Sequence, residues 1–210
     1  MEIGGIDMKK HWNVGILLFN EVEVLDFAGP FEVFSIASYS NCQQKPFTVK
    51  TVAQTTDLIS ARNGLKVQPD FDFNNSPSFD ILIIPGGYGA EEIEIHNEIL
   101  KNWIKIRAEE CDIIASVCTG SFLLAETGLL DGKRATTHWL DIDRLESEYK
   151  KIKVQRGVKY VDESNIITSG GISAGINMSF YLLNRLVGKE IAIATAKRME
   201  YDINLHKIKH

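Results

Sequence analysis

The chain has 210 residues, 44% hydrophobic and 24% charged, enough for one sizeable core and thin for two, so one domain over 1–210 is expected. A formal net charge of -5 argues against a nucleic-acid partner, whose surface would need a basic stripe. No run approaches the ~18 apolar residues of a membrane span. The apolar stretch at 14–19 is too brief for a signal segment, so a cytoplasmic protein with no membrane partner is expected.

Apolar, β-branched runs of strand length recur at 14–19, 47–53, 80–84, 112–117, 134–137 and 165–168. Helical patterns lie between several of them at 30–39, 97–109, 119–127 and 139–149, and a pair at 174–187 and 189–200 closes the chain. This alternation predicts parallel strands joined by crossover helices: an α/β, doubly wound, mostly parallel sandwich of flavodoxin-like character. The segment 54–79 carries the hairpin signal Asn63-Gly64 with Pro69 and Pro77, and reads as a small excursion from the main sheet. Residues 1–12 and 203–210 are polar and are expected to be loosely ordered tails. The basic residues Lys150, Lys151, Lys153, Arg156 and Lys159 alternate with Ile152, Val154 and Val158, as on the solvated face of an edge strand.

Three cysteines, Cys42, Cys111 and Cys118, form no CxxC pair and leave an odd count, so neither a zinc ribbon nor a disulfide framework is suggested. Cys111 and Cys118 bracket one strand, which separates them by on the order of 20 Å, beyond disulfide reach. Cys42 and Cys111 lie in no electropositive context and read as structural.

Cys118 is different. The strand Ile113 to Val117 runs into Cys118-Thr119-Gly120-Ser121, where a helix begins. A side chain at such a turn projects above the sheet edge, towards peptide N–H groups that lower a thiol pKa and can hold a developing anion. Ser116 stands two before the cysteine where the hydrolase elbow has glycine. The plainer reading is a small buried residue at a strand end.

Other candidates fall on the same predicted rim, at the carboxyl ends of strands where such sheets bind ligands. Asp26, among Val24, Leu25, Phe27 and Ala28, is either a helix N-cap or a carboxyl kept desolvated for proton transfer with Cys118. The turn Pro85-Gly86-Gly87 bares amides that could join that of Thr119 in an oxyanion nest, or it is an ordinary glycine turn. The Thr119 hydroxyl could orient a proton path, or have no role. His138 could serve as a base for Cys118, or be a hydrogen-bonded core residue beside Trp139. The run Ser169 to Gly175, with Gly171 and Ile172, could wall the pocket.

Taken in order, Leu25-Asp26-Phe27-Ala28-Gly29-Pro30, Ile84-Pro85-Gly86-Gly87, Val117-Cys118-Thr119-Gly120-Ser121 and Ala135-Thr136-Thr137-His138-Trp139 resemble the ThiJ/PfpI superfamily, of class I glutamine amidotransferase-like fold. Leu129 to Arg134 and Gly170-Gly171-Ile172-Ser173-Ala174-Gly175 are similar to its isocyanide hydratase branch and to the sensor half of AraC-type regulators. The likeness runs from about residue 13 to 200. It implies Cys118 as nucleophile, Asp26 as the acid bonded to it, the amides of Gly87 and Thr119 as pocket donors, and a homodimer with the site near its interface. Two departures stand out: Thr119 follows the cysteine where PfpI-type proteases have histidine, and the histidines after 138 are His206 and His210, in the tail.

These readings lead to a cysteine-dependent enzyme acting on a small electrophile, foremost an isocyanide hydratase-like activity with Cys118 and Asp26, needing no metal and no organic cofactor. Glyoxalase or deglycase activity, an intracellular protease or amidase, and a non-catalytic redox or ligand sensor are the alternatives. Direct DNA binding is not expected, because no paired helix-turn-helix segment follows residue 200.

Overall fold

The computed structural model describes residues 10–39 and 44–203. Its elements run β1 (Trp12–Leu17), α1 (Val24–Ile36), β2 (Phe47–Ala53), β3 (Ile59–Ser60), β4 (Lys66–Val67), β5 (Phe71–Asp72), β6 (Ile81–Ile84), α2 (Glu98–Glu110), β7 (Ile113–Val117) and α3 (Gly120–Glu126). There follow β8 (Arg134–Ala135), α4 (Ile142–Glu148), β9 (Lys153–Val154), β10 (Tyr160–Asp162), β11 (Ile166–Ser169), α5 (Ala174–Val187) and α6 (Lys189–Arg198). Seven strands form one sheet in the order β10-β11-β7-β6-β1-β2-β5, parallel throughout except for β10 on β11. The expected doubly wound, mostly parallel sandwich is the observed architecture.

The central strands are hydrophobic on both faces because helices cover both. Ile81, Leu82, Ile83 and Ile84 are wholly buried, and β7 is buried along its length. The chain passes from β1 outward to β2, then returns to the opposite side of β1 with β6 and continues to β7. That reversal between β1 and β6 opens a crevice at the strand ends. α1 follows β1, the Pro85-Gly86-Gly87 turn follows β6, and Cys118 follows β7, so the three expected segments meet there.

Several boundaries move. The first helix starts at Val24, not at residue 30, and carries Pro30 inside it. A proline reads as a helix start, yet here the burial of Phe27, Val33 and Phe34 offsets the hydrogen bond it removes. The strand expected at 134–137 shrinks to β8, which pairs with β9 in a separate two-stranded sheet. Thr136 and Thr137 turn instead towards the core, where the Thr136 N–H donates to Thr168 Oγ1 at 2.9 Å. β9 is the one strand within the basic stretch, and the edge of the main sheet there is β10. The cations are matched on the surface: Arg156 with Asp143 and Glu146 at 2.7 and 2.6 Å, and Lys151 with Asp131 at 2.7 Å. The hairpin signal is realised as β3 and β4 around Asn63 and Gly64, while β5 extends the main sheet.

Of the expected amino-terminal tail, residues 10–12 are placed, with Trp12 opening β1. Residues 1–9, 204–210 and Cys42 lie outside the described residues. No helix among the described residues is long and apolar enough to cross a membrane.

Candidate active site

Cys118 ends β7 with φ 56, in the left-handed region that costs a side chain roughly 1–2 kcal/mol. Its peptide is clamped from three directions. The N–H donates to the carbonyls of Ser169 and Gly170 at 3.2 and 3.3 Å, and the carbonyl accepts from Thr137 Oγ1 at 3.0 Å and Ser121 Oγ at 3.3 Å. A strained residue held by several segments is the mark of a functional turn. The sequence expectation of an elbow here matches this geometry.

Asp26 lies in the first turn of α1 and makes no helix cap. Its residue is wholly buried, and Oδ2 accepts the Gly86 N–H at 3.1 Å. The other oxygen, Oδ1, has no nitrogen or oxygen partner, and the side chain that hydrogen-bonds this carboxyl is the Cys118 thiol. Burial, opposed by the Gly86 N–H and aided by the charge of Glu23, raises the Asp26 pKa from 3.8 to about 8. Desolvation therefore favours the protonated carboxyl well above the usual carboxylate range.

Burial also pushes the Cys118 thiol up, and a negative charge on Asp26 would push it further, against the lowering effect of the Thr119 N–H. The expectation of a resting thiolate is thus corrected. Helix-start amides act on the sulfur, but desolvation and neighbouring carboxyls outweigh them. Each group acts on the other, so the two titrate as a coupled pair.

The glycine turn also differs from expectation. The Gly86 N–H is engaged by Asp26, and the Gly87 N–H donates to Thr119 Oγ1 at 2.9 Å. Neither amide is open to an oxyanion; they build the site from behind. A β-carbon on Gly86 would stand 2.5 Å from the Thr119 nitrogen, so glycine is what lets this loop close on the elbow. Thr119, 2% exposed, shares its hydroxyl between the Gly87 peptide and the side chain of Glu91.

His138 and Cys118 both border Gly171. A β-carbon at Gly171 would lie 2.1 Å from His138 Cδ2 and 3.0 Å from Cys118 Sγ, so the imidazole edge and the thiol flank the bare α-carbon of Gly171. His138 Nδ1 is 3.3 Å from Asp141 Oδ2, which orients the ring. Ile172 stands next in the chain, 36% exposed. Gly171 also lines a cleft of about 260 Å³ with Thr137, Trp139, Val158 and Ser173.

Sequence reading passes over Glu91 and Asp141. Glu91 lies in a π-helical turn, Gly89–Ile93, directly after the glycine loop. Burial first, then the charge of Asp141, holds its pKa above the usual carboxylate range. The available signals were weak: an acidic pair after the loop, and an i,i+3 spacing from His138 to Asp141. Among the described residues, no group of three or more His, Cys, Asp or Glu side chains is placed to hold a metal ion.

The DJ-1/PfpI family matches this chain over residues 13–185. An isonitrile hydratase of Pseudomonas putida is 36% identical over 188 residues, covering 90% of this chain and 78% of that protein. The HTH-type transcriptional regulator GbdR of Pseudomonas aeruginosa is 24% identical over 190 residues, and this chain spans 51% of its length. A ThiJ/PfpI family protein from Pseudomonas syringae superposes with a TM-score of 0.82 at 26% identity, over 97% of this chain and 83% of that one.

Proposed function

The chain belongs to the DJ-1/PfpI family, and from that premise we propose that it hydrates an isocyanide to an N-substituted formamide, with Cys118 as nucleophile and Asp26 as acid and base. The observation that carries this reading is a wholly buried carboxyl, that of Asp26, set against the thiol at a strained strand-to-helix turn. Similarity to an isonitrile hydratase over most of both chains supports it.

The thiol sulfur attacks the terminal carbon of R–NC while Asp26 delivers its proton to that carbon and receives the thiol proton, which yields R–N=CH–S–Cys118 and a neutral carboxyl. Asp26 then protonates the imine nitrogen, and its carboxylate takes a proton from the water that adds to carbon. Collapse of the R–NH–CH(OH)–S adduct breaks the C–S bond and releases R–NH–CHO. The hydroxyl proton passes through Asp26 to the leaving sulfur. Water is consumed, no redox change occurs, and no amine has to be expelled. Peptide hydrolysis would need that expulsion.

The Thr119 hydroxyl and the His138–Asp141 pair line the path around the sulfur. The test is direct: purified protein is mixed with an aryl isocyanide, and formamide is followed by NMR, with methylglyoxal run in parallel. Turnover absent in Cys118→Ala supports the reading. Lack of formamide from a panel of isocyanides, with lactate formed from methylglyoxal, would replace hydration by the glyoxalase chemistry.

A second reading, a ligand sensor, is favoured by the similarity to GbdR, about half of whose length this chain spans. It predicts saturable ligand binding without turnover. A homodimer is also proposed. α1 exposes Leu25 and Phe31, apolar side chains on a helix whose other face is buried, and a second copy would cover them. Sedimentation velocity decides between monomer and dimer.

A further inference from the structure

We propose that this site admits electrophiles of zero or positive charge and rejects anions, and that Glu91 and Asp141 set the selectivity. The inference deepens the hydratase reading by naming the charge class of its substrate. It also extends to any electrophile that must approach this sulfur.

The geometry comes from two elements outside the nucleophile's own strand and helix. Glu91, on the π-helical turn after β6, hydrogen-bonds the hydroxyl of Thr119, the residue next to Cys118. Asp141, at the start of α4, holds His138, whose ring edge borders Gly171 as the Cys118 sulfur does. The two carboxyls are close enough to act on each other, and both act on the sulfur. Below them lies the buried Asp26 carboxyl, whose raised pKa leaves the charge around the sulfur to Glu91 and Asp141.

The neighbouring cation is turned elsewhere. Arg144 donates to Glu92 Oε1 at 2.8 Å, to Glu148 Oε1 at 3.1 Å and to the Glu91 carbonyl at 3.1 Å. Its guanidinium also stands over the Phe122 ring at 4.9 Å. It fixes the turn that carries Glu91 and does not offer a free donor to an anion. Lys159, on the cleft beside Gly171, donates to the neutral Asn177 Oδ1 at 2.9 Å and keeps its charge, so it opposes the two carboxyls from that wall. An electrophile bearing a carboxylate or phosphate would enter against like charge in a partly desolvated site, which costs about tenfold or more in rate per carboxylate.

The test uses the sulfur itself and not the unknown substrate. Cys118 of the whole protein is alkylated with iodoacetamide and with iodoacetate, and the rates are read by peptide mass at Cys118. The neutral-over-anionic rate ratio is then divided by that of a small free thiol in the same buffer. The expected ratio is about tenfold or greater for the wild type, smaller in Glu91→Gln and Asp141→Asn, and smaller in the wild type as salt is raised. A wild-type ratio equal to that of the free thiol overturns the proposal, as does a ratio that neither salt nor either substitution changes. The salt series keeps the test sharp if a variant does not fold. A large ratio in a protein that turns over no isocyanide sustains the charge selectivity while removing the hydratase reading, so the two failures are distinct.

Discussion

Strand β7 has a cysteine near each end, and the two have different fates. Cys111 ends α2 just before the strand, with ordinary extended backbone and its N–H on the Arg107 carbonyl at 2.9 Å. Burial, then the charge of Glu110, pushes its thiol up to about 12. Cys118, at the other end, is also raised by burial, but it has positive φ, a buried carboxyl as hydrogen-bond partner, the Thr119 N–H and a histidine edge. Burial alone makes an inert thiol. The sheet's carboxyl edge sets a buried thiol beside a buried carboxyl and a helix-start amide, which Cys111 lacks.

The sharpest way to break this comparison is to remove each sulfur. Cys118→Ala is expected to lower isocyanide turnover by about 10³-fold or more, while Cys111→Ser changes kcat/KM by about twofold at most. Equal losses, measured side by side, would dissolve the distinction. Asp26→Asn keeps the shape and the Gly86 contact but removes the proton shuttle, and is expected to reduce kcat by roughly 10²-fold with less effect on KM.

The same substitution carries a pH signature. Asp26 ionises at 3.8 in ordinary surroundings and about 8 in the folded protein, so between those values the folded state holds a proton the unfolded chain has released. Its contribution to stability is full below about pH 4 and is lost as pH rises through about 8. The wild-type Tm should therefore fall between pH 5 and pH 8.5 more than that of Asp26→Asn. Parallel curves would show that the carboxyl is not desolvated. The most local change to the fold is Gly86→Ala, which is expected to lower stability and turnover together. Its β-carbon meets the Thr119 backbone, and the cost is about 3 kcal/mol in urea unfolding.

Much of this was legible along the chain. The uninterrupted apolar runs of β6 and β7 announced strands buried on both faces, and the switch from Val117 to Gly120 announced the elbow. The segments carrying Asp26, Gly86 and Cys118 were correctly placed on one rim because parallel sheets set their carboxyl ends together. The helix start at Val24 was hidden by Pro30, whose local preference lost to packing. β8 was overestimated because Thr136 and Thr137 look like strand residues, yet the Thr136 N–H donates to the Thr168 hydroxyl and the Thr137 hydroxyl donates to the Cys118 carbonyl.

By itself, then, the sequence determined the layer architecture, the rim and the cysteine at the strand-to-helix turn, since periodicity and turn chemistry act over a few neighbouring residues. The tertiary structure alone decided the protonation of Asp26, the engagement of the Gly86 and Gly87 amides, and the presence of Glu91 and Asp141 around the sulfur. Desolvation and Coulomb interactions depend on distance in space, and these groups lie on segments far apart in the chain that meet only once the sheet has formed.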